Sequence, residues 1–339
     1  MSKGGAFAQL YIKMFLVSVL VTFYDMYDNA DLNLHKDSVG GNIAFLDYVP
    51  QFLERTSEHY FNDGRSCSIT GYNKDLKIIV NENSVKIKDS SICKWYLKDN
   101  IKTMFRGDFQ RAIENLSDIV HLPMAVSNVT RLDLATNFLV EHDTSLYYDG
   151  LGILNHFNRS PRGSGLYYYG ANGSLVFYDK LKDAKANGMV IPSLYDGKNL
   201  LRYERRFEKR ICQQLNCAEL KASTLYDNQF YTQMIDRWVN DYQSIDKIKN
   251  VKKLDYNMVK SKTELYSQAL LFYIEGRGGI LNVLDEVKQA QKAGALTKKQ
   301  AQDLRDKYKE VSNHKLFVDE NDLIQELDSK VKQVQRHYH

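Results

Sequence analysis

Two carboxylates and one tyrosine in this sequence have the surroundings that phosphate chemistry needs. Asp133 lies in TRLDLATN, Glu204 lies in LLRYERRFE, and Tyr178 lies in LVFYDK. A carboxylate between apolar strand residues is costly to bury unless it is ion-paired or binds a metal ion. Two such carboxylates make a hard oxygen site for Mg²⁺ or Mn²⁺. A tyrosine beside that metal can attack a phosphodiester, which makes Tyr178 a candidate nucleophile.

Basic residues accompany both carboxylates. Because side chains alternate along a strand, Arg131 shares a face with Asp133. By the same alternation, Arg202 and Arg206 share a face with Glu204. Arginines at these positions could bind a phosphate that approaches the carboxylates. They suit equally a structural role, in which the carboxylates of Asp133 and Glu204 are the ion-pair partners of Arg131 and Arg202.

Tyr178 also has a basic neighbour. Lys180 is two residues further on and on the same face of the predicted strand, where it would help to hold a phosphate. The alternative is an ordinary strand tyrosine in a chain that has 23 tyrosines. Just before this strand and its partner, the basic loop RSPRGSG contains Arg159 and Arg162. These two arginines are either solvated or in contact with DNA phosphates.

Hydrophobic periodicity predicts the elements that would position these residues. The span 14–24 reads as a buried strand, 77–88 as a hairpin, 108–120 as a helix and 129–140 as a strand. The span 200–215 begins as a strand and turns helical near its middle. The pattern therefore alternates antiparallel strands with a few helices.

A second hairpin, GLYYYGANGSLVFYDK, carries the candidate nucleophile. Asn172 and Gly173 are predicted to form its two-residue loop, because both residues tolerate positive φ. That loop places Tyr167 opposite Tyr178 across the hairpin.

The overall pattern predicts an α+β fold, in which a central antiparallel sheet precedes a helical C-terminal region. The predicted divisions are a leader at 1–13, a catalytic domain at 14–245 and a helical domain at 246–339. The helical domain is either a helix-turn-helix element that binds DNA or a bundle that packs on the catalytic domain. Its predicted helices occupy 265–276, 280–294, 297–311 and 320–335.

Composition limits the class of protein. The chain of 339 residues is 43% hydrophobic and 26% charged, with a net charge of +4, which is typical of a globular protein and permits an anionic partner. Its four cysteines are scattered, as expected of reduced thiols in a cytoplasmic protein. The most apolar run, MFLVSVLVTFYDM, is too short to span a bilayer, so no membrane association is expected.

Three motifs occur in a characteristic order: TRLD, then LVFYDKLKD, then LLRYERRFEKR. Together they resemble the replication initiators of filamentous bacteriophages and the related rolling-circle initiators of plasmids. That family has an R-[IL]-D strand, a strand that ends in Y-x-K-x-x-E, and an R-[FY]-E strand followed by basic residues. The resemblance covers roughly residues 14–215.

The resemblance implies an α+β catalytic domain of the rolling-circle initiator type, which nicks and rejoins origin DNA. A tyrosine becomes linked to the 5′ phosphate, and the freed 3′ hydroxyl primes replication. The motifs match Tyr178 to the nucleophile, Lys180 to the phosphate-side lysine, and Asp133 and Glu204 to the metal ligands. Asp183 stands where the family often has a glutamate, and it is the candidate third ligand for Mg²⁺ or Mn²⁺.

Other features exclude or leave open further activities. No P-loop signature is present in the sequence, so a host helicase would unwind the DNA and a host polymerase would copy it. The only His-x-His triplet, at 337–339, is interpreted as a surface tail. Two alternatives remain: an origin-binding, copy-control protein without catalysis, or a relaxase or transposase that uses the same tyrosine chemistry. The sequence predicts no oligomeric state.

Overall fold

The computed structural model describes residues 25–41, 43–64, 66–99, 101–253, 255–257 and 259–338. The predicted leader at 1–13 and the predicted strand at 14–24 lie outside the described residues. The described chain has an antiparallel sheet of ten strands and a C-terminal region of helices, which confirms the predicted α+β fold class.

The strands are numbered here in chain order. The order across the large sheet is β2-β3-β4-β5-β1-β6-β10-β9-β8-β7, and β11 pairs separately with β12. The strands are β1 (Tyr27–His35), β2 (Glu54–Tyr60), β3 (Ser66–Asn73), β4 (Leu76–Asn81), β5 (Ser84–Ile87), β6 (Asn128–Val140), β7 (Asn158–Arg162), β8 (Gly165–Tyr169), β9 (Gly173–Asp179), β10 (Asn199–Phe207), β11 (Asn250–Val251) and β12 (Val318–Asp319).

The helices are numbered in the same way. They are α1 (Phe45–Tyr48), α2 (Ile92–Leu97), α3 (Arg106–Val120), α4 (Thr144–Asp149), α5 (Lys180–Ala186), α6 (Ile211–Gln214), α7 (Asn228–Gln243), α8 (Lys262–Gly276), α9 (Ile280–Lys292), α10 (Lys298–Ser312) and α11 (Asp322–Tyr338). Among the helices of the described chain, none combines the length and the apolar character that crossing a membrane requires.

The chain divides into two compact units. The first contains the described residues up to 137, with 204–235 and the described residues from 336 onward. The second contains 138–203 and 236–335.

The first unit confirms three of the predicted elements. Helix α3 buries Phe109, Ile113 and Leu116 at helical spacing, as the apolar pattern predicts. Strands β4 and β5 form the predicted hairpin. Strand β6 runs through the predicted span, and β1 pairs antiparallel with it. The strand that carries Asp133 therefore lies in the interior of the sheet.

The second unit corrects the register of the hairpin that carries Tyr178. Tyr178 lies opposite Gly165, and Tyr167 lies opposite Val176. The predicted pairing of Tyr167 with Tyr178 was therefore wrong by two residues. The cause is the position of the turn, because the backbone N–H of Gly170 donates to the carbonyl of Gly173 and closes the loop one residue earlier. A shift of two residues keeps every side chain on its predicted face.

The core of the second unit is rich in aromatic residues. The ring of Tyr203 stacks on Phe177 with centroids 4.5 Å apart, and Trp238 packs on Tyr203 at the same distance. Helices α8 to α11 confirm the helical C-terminal region that the sequence predicts. Helix α11 is joined to this unit by a hydrogen bond from the hydroxyl of Tyr147 to the carboxylate of Glu326.

Candidate active site

The candidate nucleophile lies at a junction between a strand and a helix in the second unit. Strand β9 ends at Asp179 and α5 begins at the next residue. The carboxylate of Asp179 caps the helix by accepting hydrogen bonds from the backbone N–H groups of Leu181 (3.0 Å) and Lys182 (2.9 Å). The hydroxyl of Thr144 also donates to this carboxylate, at 3.3 Å. These hydrogen bonds fix the start of α5 relative to the end of β9. Because Tyr178 is the residue before Asp179, its position is fixed as well.

This junction brings three of the predicted site residues together. The ammonium of Lys180 donates to the phenol oxygen of Tyr178 at 3.5 Å and to a carboxylate oxygen of Asp183 at 3.1 Å. Lys180 is buried, and a buried ammonium needs a counter-charge, which Asp183 supplies from one helical turn further on. The spacing Y-x-K-x-x-D thus corresponds to the strand end, the first helical residue and the next turn of the helix.

A glycine leaves room for the backbone of Tyr178. Gly165 is its cross-strand partner, and a Cβ at Gly165 would lie 2.9 Å from the Cβ of Tyr178 and closer still to the carbonyl oxygen of Phe177. A larger residue at this position would therefore push the two strands apart.

We expect Gly165→Ala to lower the free energy of unfolding by about 1–3 kcal/mol, because the added methyl overpacks a paired strand. Gly163→Ala is the matched control, since nothing lies within 4 Å of a Cβ built there. Urea unfolding of both variants measures the effect. Equal unfolding midpoints for the two variants would contradict the crowding inferred here.

The two candidate carboxylates lie in the first unit, and both are buried, with Asp133 3% and Glu204 2% exposed. The guanidinium of Arg131 donates to both carboxylate oxygens of Asp133, from Nε at 2.9 and 3.1 Å and from Nη2 at 2.8 Å. Arg206 donates to Glu204 from Nε at 2.8 Å. Each of these ion pairs joins residues two apart on one strand, as strand alternation predicts. The Arg131–Asp133 ion pair of the structural interpretation is confirmed.

The carboxyl of Asp133 has an unusual electrostatic environment. Its pKa is raised to about 7, chiefly by burial and also by the negative charge of Glu204, against the lowering effects of Arg131 and Arg206. The two carboxylates are therefore close enough to oppose each other's ionisation. Each carboxylate also accepts hydrogen bonds from an arginine, and these bonds would keep the carboxylate in its orientation if a cation bound.

The chemistry of these two carboxylates is compatible with a hard divalent cation. Carboxylate oxygens are the preferred ligands of Mg²⁺ and Mn²⁺, and a bound cation would favour the ionised carboxyl of Asp133 against the burial that raises its pKa. Within the described ranges, no group of three or more histidine, cysteine, aspartate or glutamate side chains is placed to hold a metal ion. A metal held by Asp133 and Glu204 would need further oxygen ligands to complete its coordination.

The remaining predicted arginines differ in their surroundings. Arg202 is fully buried, so it would reach DNA only after a rearrangement. The guanidinium of Arg159 donates to the backbone carbonyls of Leu151 and Tyr148, both at 2.8 Å, and so ties the start of β7 to the preceding segment. Arg162 is exposed and lies beside two tyrosine rings.

Two residues that matter to the geometry of the site were missed by sequence reasoning. Asp179 caps α5, and an aspartate directly before KLKD was a usable signal for a helix start. Gly165 was read as part of a strand, and its close approach to Tyr178 depends on a register that the sequence did not reveal.

Comparison with known protein families identifies a matching family. The profile for the N-terminal part of the phage gene II replication-associated protein matches residues 26–238, which include both carboxylates and the strand–helix junction. No curated protein matched the chain. Since the match covers more than half of the sequence, the chain belongs to the family of gene II replication-associated proteins of filamentous phages.

Proposed function

We propose that this protein is a site-specific nicking–joining endonuclease that starts rolling-circle replication of phage DNA. In this proposal it cleaves one strand of the origin, remains attached to the 5′ phosphate and leaves a 3′ hydroxyl for a host polymerase. A host helicase would separate the strands. Family membership supports the role in phage DNA replication. The chemistry is inferred from the residues.

The observation that carries the proposal is the contact between Tyr178 and Lys180. A tyrosine nucleophile needs a nearby cation, both to stabilise its phenolate and to attract the phosphate. Lys180 donates to the phenol oxygen, its whole side chain is buried, and Asp183 balances its charge. The lysine is therefore held in place before DNA arrives.

In the proposed reaction, the phenol of Tyr178 loses its proton to solvent and the phenolate attacks phosphorus. A bond from the tyrosine oxygen to phosphorus forms, the bond to the 3′ oxygen breaks, and the 3′ oxygen takes a proton from solvent. Lys180 holds a non-bridging oxygen throughout. Rejoining is the reverse, with the 3′ hydroxyl as nucleophile and the phenol as leaving group.

The same proposal assigns Mg²⁺ or Mn²⁺ to Asp133 and Glu204. When bound, the cation would neutralise charge that develops on the phosphate. Arg131 and Arg206 would keep the two carboxylates in their orientations through the observed hydrogen bonds. Asp183 remains the proposed third ligand, although its observed contact is with Lys180.

The test is a nicking assay on supercoiled DNA that carries the cognate origin, with Mn²⁺ present. The proposal predicts open circles and a protein–DNA adduct that survives SDS. If the protein binds the origin yet no divalent ion supports nicking, the activity is origin binding without catalysis.

We expect Lys180→Met to slow nicking by about 100-fold, because the phosphate loses the cation placed beside the nucleophile. Lys185→Met is the matched control, since Lys185 lies in the last turn of the same helix and its side chain is exposed. Single-turnover rates on origin DNA measure the effect. If both variants lose nicking rate to a similar degree, the two lysines contribute only a general electrostatic attraction for DNA.

A further inference from the structure

One face of the β7–β8–β9 sheet carries Tyr178 together with two other tyrosines. Residues directly opposite each other in an antiparallel pair share a face. Tyr178 lies opposite Gly165, so Tyr167 and Tyr169, two and four residues along β8, lie on the same face as the candidate nucleophile. In β7, Arg162 lies opposite Gly165 and shares this face as well.

These side chains form one compact group, here called the tyrosine platform (Arg162, Tyr167 and Tyr169). The two rings are nearly parallel, with an angle of 7° between their planes and centroids 5.8 Å apart. The guanidinium carbon of Arg162 lies 5.2 Å from the centroid of Tyr167 and 5.3 Å from that of Tyr169. Each distance is within the range of a cation–π contact.

The platform does not belong to the core. On the opposite face of the same hairpin, Leu166, Tyr168 and Phe177 are fully buried. Tyr169, by contrast, is 38% exposed, and Arg162 is exposed beside it. The aromatic residues of β8 thus alternate between a core face and a face that is open to solvent.

We infer that the tyrosine platform binds unpaired bases of the DNA strand that is cleaved. This inference rests on the proposed function of Tyr178. Along β8, the platform tyrosines lie about 7 Å and about 13 Å from the row that holds Tyr178, so they would meet bases close to the scissile phosphate. Aromatic side chains stack on bases of any sequence, and Arg162 adds a positive charge for the backbone.

The tyrosine platform is expected to bind single-stranded DNA in preference to duplex DNA. In a duplex each base is already stacked between its neighbours, so its flat face is not available to a protein ring. A strand that has been opened presents those faces. The platform would therefore favour an origin that is already unwound at the nick site.

The experiment uses the full chain with Tyr178→Phe, so that no cleavage occurs, and measures dissociation constants by fluorescence anisotropy. The probes are a thymidine oligonucleotide of about 20 residues and an abasic strand of the same length. We expect Tyr167→Ala with Tyr169→Ala to weaken binding of the thymidine strand about tenfold or more. Binding of the abasic strand should be unchanged, which also shows that the variant is folded.

Two further variants sharpen the result. Replacing both tyrosines by phenylalanine should preserve the affinity for the thymidine strand, because the stacking rings remain. Tyr266→Ala, which removes a tyrosine that is 69% exposed on α8, should change neither affinity. Unchanged binding of the thymidine strand after the double alanine change, or an equal loss for the abasic strand, overturns the inference. If the proposed nicking chemistry is wrong, no SDS-resistant adduct will form in the nicking assay. The binding assay does not depend on that adduct, so the two failures can be told apart.

Discussion

Tyr178→Phe is expected to abolish both nicking and the SDS-resistant adduct, with a loss of at least about 1000-fold in rate. The substitution removes only the phenol oxygen, which is the atom that attacks phosphorus in the proposed reaction. Tyr178 is half-buried at the end of β9, and the ring remains to pack. We therefore expect the melting temperature to change little, and thermal unfolding beside the nicking assay separates chemistry from folding.

Tyr266→Phe is the matched control for this change, because Tyr266 is 69% exposed on α8 and loses the same atom. It should nick at close to the rate of the unaltered protein. If Tyr178→Phe still forms the adduct, another residue is the nucleophile and the proposed reaction is wrong.

Asp133→Asn combined with Glu204→Gln is expected to lower nicking by about 1000-fold and to remove binding of Mn²⁺. Both changes keep the shape of the side chain and remove the negative charge that a cation requires. Isothermal titration with Mn²⁺ measures binding, and the nicking assay measures catalysis. Asp143→Asn is a suitable control, because Asp143 is a partly exposed carboxylate paired with Lys182.

The raised pKa of Asp133 would make binding at the proposed metal site depend on pH. Its carboxyl must lose a proton before it can bind a cation, so Mn²⁺ affinity should fall about tenfold for each pH unit below about 7. Mn²⁺ affinity that does not depend on pH, or that survives the double substitution, would place the metal elsewhere.

The same shift affects the stability of the metal-free protein. Since the pKa is raised from 3.8 to about 7, the folded state keeps a proton between these values that the unfolded chain has released. The free energy of unfolding should therefore fall as the pH rises through this window. Urea unfolding at about pH 5 and about pH 8 checks the sign, and Asp133→Asn should reduce the difference.

Much of the fold could be predicted because its elements have strong local signals. The strand that carries Asp133 and the helix over 106–120 follow from periodicity alone. The register of the hairpin around Asn172 could not be predicted, because Gly170 closes the turn one residue earlier than the Asn-Gly pair indicates. Helix α7 was missed although the signal was present, because its buried residues follow helical spacing: Tyr231, Met234, Ile235, Trp238, Val239 and Tyr242.

Contacts within the candidate site that are local in sequence could be predicted, and those that depend on the assembled fold could not. The contacts among Tyr178, Lys180 and Asp183 are local, so a short motif contains them. The partners of Arg159 are backbone carbonyls, and no residue type at those positions signals such a bond. The pKa of Asp133 depends on burial, which arises only when the sheet is assembled.

The cap at Asp179 also bears on how the proposed reaction would end. Tyr178 is joined directly to a helix start held by three hydrogen bonds, so a DNA end on its phenol would be tethered to a rigid corner and not to a mobile loop. A rigid tether confines the 5′ phosphate to a small volume and raises its effective concentration toward a returning 3′ hydroxyl. Circle closure would then be limited by the arrival of one DNA end alone.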